Sequence, residues 1–314
     1  MSTIIPPPLK NDCFALPPGV DWTPVGEAKM LLRTALQPVV ASGQLISVED
    51  ACDRILSEDV VALRCNPPAT NSAVDGYGFI GPVGDGSHIL DLAKGRAAAG
   101  LPFEGVVASD QAVRILTGAI LPPGVDTIVL EEDCTIELDR IAFNGPLKAG
   151  ANARDAGEDV TTNTPIFRAG RRLSPTDLSL LASAGVAEVF VFTRLRIGIL
   201  STGDEIREPG QPASDWQIYD ANRLMLLAMV RGLGFEAIDL GLVEDTRAAV
   251  RNALNRGAVG CDLIITSGGA SAGDEDHISA ILKSEGELTS WRIALKPGRP
   301  LALGVWDKTP VIGL

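Results

Sequence analysis

The segment Asp262-Leu-Ile-Ile-Thr-Ser-Gly-Gly-Ala-Ser-Ala-Gly-Asp-Glu-Asp-His277 combines the residue types of an anion site. Its apolar start reads as a buried strand, and its glycines and hydroxyls read as a loop. The backbone N–H groups of Gly268, Gly269 and Ala270, with the hydroxyls of Ser267 and Ser271, can cradle an oxyanion where the next helix begins. Asp274, Glu275 and Asp276 follow at once. Carboxylates beside a phosphate nest repel the ligand unless a cation lies between them, and Mg²⁺ commonly takes one or two carboxylates with phosphate oxygens and water. Asp276 is therefore a candidate Mg²⁺ ligand, together with Asp245 and Glu205 at two other expected strand ends. Downstream, Lys296 and Arg299 bracket a Pro-Gly turn, and Arg292 lies on the same face of the preceding strand as Lys296 by simple alternation. Arginine grips an oxyanion by forked hydrogen bonds, whereas lysine acts as a point charge. Taken singly, each acid equally suits a helix cap, the glycines a packing turn and the cations a blunted edge strand. What favours a site is that the strand ends share one rim.

That rim requires parallel strands. After about Leu195 the pattern alternates strand and helix: Arg196 to Leu200, Asn222 to Arg231, Ala237 to Leu240, Thr246 to Arg256, Leu263 to Thr266, His277 to Lys283. Such alternation implies right-handed crossovers and a sheet whose ligands lie beyond the carboxyl ends of its strands. Ser201-Thr-Gly-Asp-Glu205, Glu244-Asp245 and Ser267-Gly-Gly269 all fall there. Leu301 to Trp306 and Pro310 to Leu314 are expected as two strands around Asp307-Lys308.

Earlier segments have a different texture. From Val25 to Asp59 the pattern predicts helix, with Leu31, Leu32, Ala35 and Leu36 on one stripe and Ser47-Val-Glu-Asp50 as a capping box opening a second helix. Between about Val60 and Gly150, short Val/Ile/Leu runs separated by Asp-Gly, Pro-Pro and Gly-Pro turns predict an all-β insertion. Asn66 to Phe79 carries an Asp-Gly hairpin signal and suits an exposed recognition loop, while Gly150 to Asp159 by itself reads as a solvated connector. Helix returns at Ser174 to Gly185, with Ser174 as cap, Pro175 at the first turn and Gly185 as terminator. The Pro-rich start, residues 1–20, is expected to be an extended arm without the features of a signal peptide.

Composition narrows the function. At 314 residues more than one domain is expected. No apolar run approaches the roughly 18 residues of a membrane span, and the formal charge of −13 disfavours a nucleic-acid or membrane-surface partner. Five scattered cysteines with two histidines give neither a zinc pattern nor a disulfide framework, so a cytoplasmic location is expected. No Ser/His/Asp triad and no phosphate-binding P-loop motif is present.

Seven stretches in order, Asn71-Ser-Ala-Val-Asp-Gly-Tyr77, Ile115-Leu-Thr-Gly-Ala119, Arg154 to Asp159, Ser201-Thr-Gly-Asp-Glu205, Ile218-Tyr-Asp-Ala-Asn-Arg223, Thr266 to Gly273 and Lys296-Pro-Gly-Arg-Pro300, resemble the molybdopterin molybdenumtransferase family, which is related to the E-domain of gephyrin. The resemblance implies a multidomain α/β plus β fold. Its parts would be a Pro-rich arm (1–20), a small split helical domain (21–60 and 150–193), a β-rich inserted domain (61–149) and a three-layer α/β/α molybdopterin-binding domain with a mostly parallel sheet (194–314). It further implies a homodimer whose cleft takes Asp75, Thr117, Arg154 and Asp159 from one subunit. Glu205, Asp245, Asp276, Arg292, Lys296 and Arg299 would come from the other. Asp75, Asp159, Glu205, Asp245, Asp276 and Lys296 are then the expected catalytic residues, with Glu205, Asp245 and Asp276 holding Mg²⁺. Ser201, Thr202, Gly203, Ser267, Gly268, Gly269, Ser271, Thr117, Arg154, Arg292 and Arg299 are expected to bind the pterin substrate.

The implied reaction consumes adenylyl-molybdopterin and molybdate, releases AMP and leaves molybdenum on the dithiolene. Contact with the adenylyltransferase of the same pathway would follow. Three residues depart from the family pattern: Arg292 and Arg299 stand where lysine is usual, and Val74 where methionine is usual. Family chains continue past Val311 to Leu314 into a small C-terminal β domain, so the chain is expected to lack that domain, and a carrier or scaffold that binds molybdopterin or molybdate is the alternative. An adenylyltransferase is disfavoured by the β and helical segments.

Overall fold

A computed structural model describes residues 23–35, 42–268, 277–292 and 300–314. The chain forms two compact units, Gly43–Phe192 and Thr193–Leu314 with the chain before Gly43. The first is β-rich and the second α/β.

In the β-rich unit a six-stranded sheet runs in the order Thr127–Leu130, Gly76–Phe79, Gln111–Ile115, Val83–Ala97, Arg140–Leu147, Cys134–Glu137. Alternation places Tyr77 and Phe79 on one face, where they pack with Ala112, Val129, Ile141 and Phe143. Ile115, Ile128, Ala97 and Ala119 form a second cluster. A third core, of Val48, Leu56, Phe167, Leu173, Leu181 and Val189 among others, joins the helix Pro175–Ser183 to the antiparallel pair Gly43–Ser47 and Glu188–Phe192. Ser174 accepts from the Asp177 amide and Asp177 accepts from the Ser174 amide, so the expected capping box is formed.

Two local expectations are corrected. Helix Val25–Ala35 forms, but no second helix opens at Ser47. Ser47 ends a strand in register with Glu188, its side chain makes no cap hydrogen bond, and a single 3-10 turn, Val48–Asp50, follows. Pairing with a distant strand has overridden a local helix signal, the usual outcome for a short motif inside a sheet. Likewise Asp75-Gly76 is not a hairpin turn. Asn71–Ser72 pairs with Ala153–Arg154, whereas Gly76–Phe79 pairs with the strands Gln111–Ile115 and Thr127–Leu130, so the chain changes sheets at Asp75.

The α/β unit holds a six-stranded sheet in the order Glu236–Val243, Arg196–Thr202, Leu263–Ser267, Thr309–Gly313, Pro300–Trp306, Glu287–Arg292. The first four strands are parallel and the last two pairings are antiparallel, so the sheet is mixed. The reversal is imposed by the two-residue turn Asp307-Lys308, both at positive φ (44° and 67°), a geometry that joins antiparallel neighbours. Ile197 and Ile199 pack against Leu226, Leu227 and Val230 of helix Ala221–Gly232. Leu200 and Ile264 pack instead with Val250 and Leu254 of helix Arg247–Gly260 and with Ile278 and Ile281 of helix His277–Glu285. Helices thus cover both faces. From Arg196–Thr202 the chain moves to one neighbour, Glu236–Val243, and then crosses to the other, Leu263–Ser267, the change of direction at which open α/β sheets take ligands beyond the strands' carboxyl ends.

Candidate functional site

The carboxyl ends of Arg196–Thr202, Glu236–Val243 and Leu263–Ser267 carry seven of the expected residues: Ser201, Thr202, Gly203, Glu205, Asp245, Ser267 and Gly268. Ser201 is fully buried, and its Oγ finds no hydrogen-bond partner among the described residues. Thr202 Oγ1 donates to Asp245 Oδ1 at 3.0 Å, and the Asp245 amide donates to Asp204 Oδ1 at 3.4 Å. Ser267, also buried, accepts from Asn222 Nδ2 at 3.1 Å. Gly203 adopts φ +148°, and a Cβ there would lie 2.7 Å from Glu205 Oε2, so glycine lets the Glu205 carboxylate fold back over the strand end.

Gly268 has φ +93°, and a Cβ at that position would lie 2.6 Å from the Thr202 carbonyl oxygen, which makes glycine necessary for the two strand ends to approach. Its amide, however, donates to the Leu314 carbonyl at 3.3 Å and is turned to the sheet rather than to an oxyanion. Gly269, Ser271, Asp276, Lys296 and Arg299 lie outside the described residues. Arg292 closes the strand Glu287–Arg292 opposite Pro300, and its side chain also lies outside them.

Glu205 and Asp245 both stand at this rim, and one or two carboxylates are what a Mg²⁺ ion sharing phosphate oxygens and water commonly uses. Among the described residues no group of three His, Cys, Asp or Glu side chains gathers into a metal site.

In the β-rich unit four further expected residues, Asp75, Thr117, Arg154 and Asp159, flank one short strand. Asn71–Ser72 is bonded on one side to Gly118 and Ala119, and on the other pairs with Ala153–Arg154. On the first side, Asp75 Oδ1 accepts from the Thr117 amide at 2.7 Å and from Thr117 Oγ1 at 2.6 Å. Those bonds, the hydroxyl first, hold the Asp75 carboxyl below the usual carboxylate range. On the second side, Arg154 Nη2 reaches both Asp159 oxygens, at 3.0 and 2.9 Å, and Asn66 Nδ2 donates to Asp159 Oδ2 at 3.2 Å. Hydrogen bonding to Asp159 raises the Arg154 pKa above its ordinary value, so the guanidinium is fully charged. All four side chains are exposed or partly so. The connector Gly150 to Asp159, which by composition alone reads as a solvated loop, thus carries an ordered ion pair.

Two polar residues beside the rim carry no expected role: Asn222, which orients Ser267, and Arg223. Arg223 is 5 % exposed and binds Asp220, Asp239 and Glu208 at once. Burial works against its charge, but the bonds to Asp239 and Asp220 outweigh that and hold its pKa above the ordinary value. The signal was present in the sequence: Arg223 stands three, four and seven residues before Leu226, Leu227 and Val230, hence on the buried stripe of its helix.

Comparison with known proteins agrees with this architecture. Residues 23–185 match a family described as MoeA N-terminal region (domain I and II), and residues 198–314 match a probable molybdopterin binding domain. A molybdopterin molybdenumtransferase of Haemophilus influenzae is 38 % identical over 279 residues, covering 88 % of this chain and 69 % of its own. Molybdopterin molybdenumtransferase 2 of Mycobacterium tuberculosis is 34 % identical over 275 residues, covering 83 % and 67 %. Among solved structures, a molybdopterin biosynthesis MoeA protein of Pyrococcus horikoshii superposes with a TM-score of 0.77 at 26 % identity, over 94 % of this chain and 74 % of the other.

Proposed function

The chain belongs to the molybdopterin molybdenumtransferase family, and from that premise we propose that it inserts molybdate into adenylylated molybdopterin during molybdenum cofactor biosynthesis, with release of AMP. The observation that carries this reading is the rim itself: two parallel strand ends present the Thr202–Asp245 pair, Glu205 folded over Gly203, and the Asn222–Ser267 pair.

Glu205 and Asp245, joined by Asp276, would hold Mg²⁺, which when bound neutralises the phosphoanhydride. Thr202 keeps one Asp245 oxygen in hydrogen bond and so fixes the direction of the other. The hydroxyl of Ser267 is a donor for a phosphate oxygen, and Asn222 turns the Ser267 hydrogen away from itself by occupying the oxygen's lone pair. Arg292, Lys296 and Arg299 would hold molybdate or the terminal phosphate. Asp75, which stays ionised well below neutrality, serves as an acceptor rather than an acid, and Arg154 and Asp159 offer a fixed ion pair to the pterin. In this reading Asp75, Thr117, Arg154 and Asp159 come from the second subunit of a homodimer. The domain limits 61–149 and 194–314, the cytoplasmic location and a contact with the pathway's adenylyltransferase belong to the same proposal.

The test is AMP release from adenylyl-molybdopterin with molybdate and Mg²⁺. Asp245→Ala is expected to lower the rate by roughly a hundredfold with the fold intact, as loss of a metal-site carboxylate does. A variant as fast as the parent chain removes Asp245 from the site. Binding of the pterin by the parent chain without AMP release leaves a carrier in place of a transferase.

A further inference from the structure

The stretch Ile218-Tyr-Asp-Ala-Asn-Arg223 is one of the motifs that resemble the family, yet its arginine has no part in the proposed reaction. Arg223 lies at the third position of helix Ala221–Gly232 and points along the buried face. Its Nε donates to Asp220 at 2.9 Å, the residue that caps the helix by accepting from the Arg223 amide at 3.1 Å. Its Nη1 donates to Asp239 at 2.5 Å, on the strand Glu236–Val243. Its Nη2 donates to both oxygens of Glu208 at 2.5 Å, just past the two-residue strand Ile206–Arg207. One planar fork therefore ties three separate elements, a task that five fixed N–H donors perform and an ammonium does not.

The third tie matters for the site because Glu205 begins the segment that Glu208 anchors. Ile206–Arg207 pairs in parallel with Ile218–Tyr219, the Ile218 amide donates to the Glu205 carbonyl at 2.8 Å, and the Asp220 amide donates to the Arg207 carbonyl at 2.9 Å. The Ile206 amide in turn donates to the Gly203 carbonyl at 3.1 Å. Between Arg207 and Ile218 no regular element intervenes. The backbone of Glu205 is thus held at one end by the central strand and at the other by a charge-assisted bond to the helix start.

We propose that Arg223 is a positioning residue: through Glu208 it locks the Glu205–Tyr219 segment to the helix start and the sheet, and thereby fixes the Glu205 carboxylate at the rim. The proposal rests on the reading of Glu205 as a Mg²⁺ ligand. Glu208 is the point at which to test it, since its side chain is about half exposed and its loss leaves the Asp220 and Asp239 ties in place. Arg223→Met, by contrast, strips buried Asp220 of its counter-charge and confounds folding with function.

For Glu208→Gln, hydrogen exchange at the Ile206, Ile218 and Asp220 amides is expected to quicken roughly tenfold, with Leu226 and Leu227 unchanged. Mn²⁺ affinity in the presence of adenylyl-molybdopterin, read from the EPR signal of free Mn²⁺, is expected to fall by a similar factor, while affinity for the pterin alone stays within about twofold. Arg223→Lys is expected to reproduce both effects. Wild-type exchange at those three amides overturns the clamp, and faster exchange with unaltered Mn²⁺ affinity overturns its role in positioning Glu205. Neither readout requires turnover, so a parent chain that binds Mn²⁺ but releases no AMP contradicts the transferase reading and not the clamp.

Discussion

Thr117 gives Asp75 both its amide and its hydroxyl, and this double donation keeps the carboxylate charged at pH values where an ordinary aspartate begins to protonate. The sign of the consequence is definite. A group whose folded pKa is depressed holds its charge above that lowered value, so removing a donor moves the acid limb upward. Thr117→Val keeps the amide bond and loses the hydroxyl, and the acid limb of its kcat/KM profile for AMP release is expected to shift to higher pH than in the parent chain. An unshifted limb assigns that limb to another group. At this scale the sequence was legible where position along a strand decides location, as for Thr202, Asp245, Glu205 and Ser267, which all stand at the strand ends where they were expected. It was silent where a role depends on contact between distant residues: nothing near Asn222 announces Ser267, and nothing in Gly150 to Asp159 announces the Asn66 contact. The amide of Gly268, expected in an anion nest, is taken by Leu314 because the adjoining parallel strand needs it.

Helix Pro175–Ser183 shows what local signals can carry. Ser174, Pro175 and Gly185 were sufficient to bound it, and its capping box is further secured by Arg171, which bonds Asp177 at 2.8 and 3.1 Å. The Arg171 bonds first, then the Ser174 donors, bring the Asp177 carboxyl down from 3.8 to about 2. Its contribution to stability is therefore present above about pH 4 and is lost as pH falls toward 2. Asp177→Asn is expected to melt a few degrees lower than the parent chain at pH 6 and to close much of that gap near pH 2, measured by thermal denaturation across pH. A gap that does not narrow with acid would place the stabilisation in packing instead. The same kind of signal misled at Ser47, where pairing with Glu188 decided the structure, and at Asp75-Gly76, where the flanking segments join different sheets. Local patterns prevail where an element buries its own face, and yield where a backbone partner comes from far along the chain.

The alternation of strands and helices after Leu195 was enough to place a parallel core, and the two strands expected around Asp307-Lys308 form as an antiparallel pair; that this pair turns one side of the sheet antiparallel emerges only from the strand order. The separation of the two expected residue groups into different units gives the homodimer proposal its own test. If Asp75 and Asp245 serve one cleft from different subunits, Asp75→Ala and Asp245→Ala chains, each strongly impaired alone, would form mixed dimers with one intact cleft in two. Unfolding and refolding the variants together is expected to restore roughly a quarter of parental AMP release, from random pairing of subunits. No restoration, with mixed dimers verified by differential tagging, would put both residues in one subunit's cleft. The central claim is tested most directly by the parent chain itself, incubated with adenylyl-molybdopterin, molybdate and Mg²⁺, with AMP and pterin-bound molybdenum counted together. The account predicts that the two appear in equal amounts and that neither forms when molybdate is left out. Tight retention of adenylyl-molybdopterin, with no AMP and no molybdenum on the pterin, would contradict it.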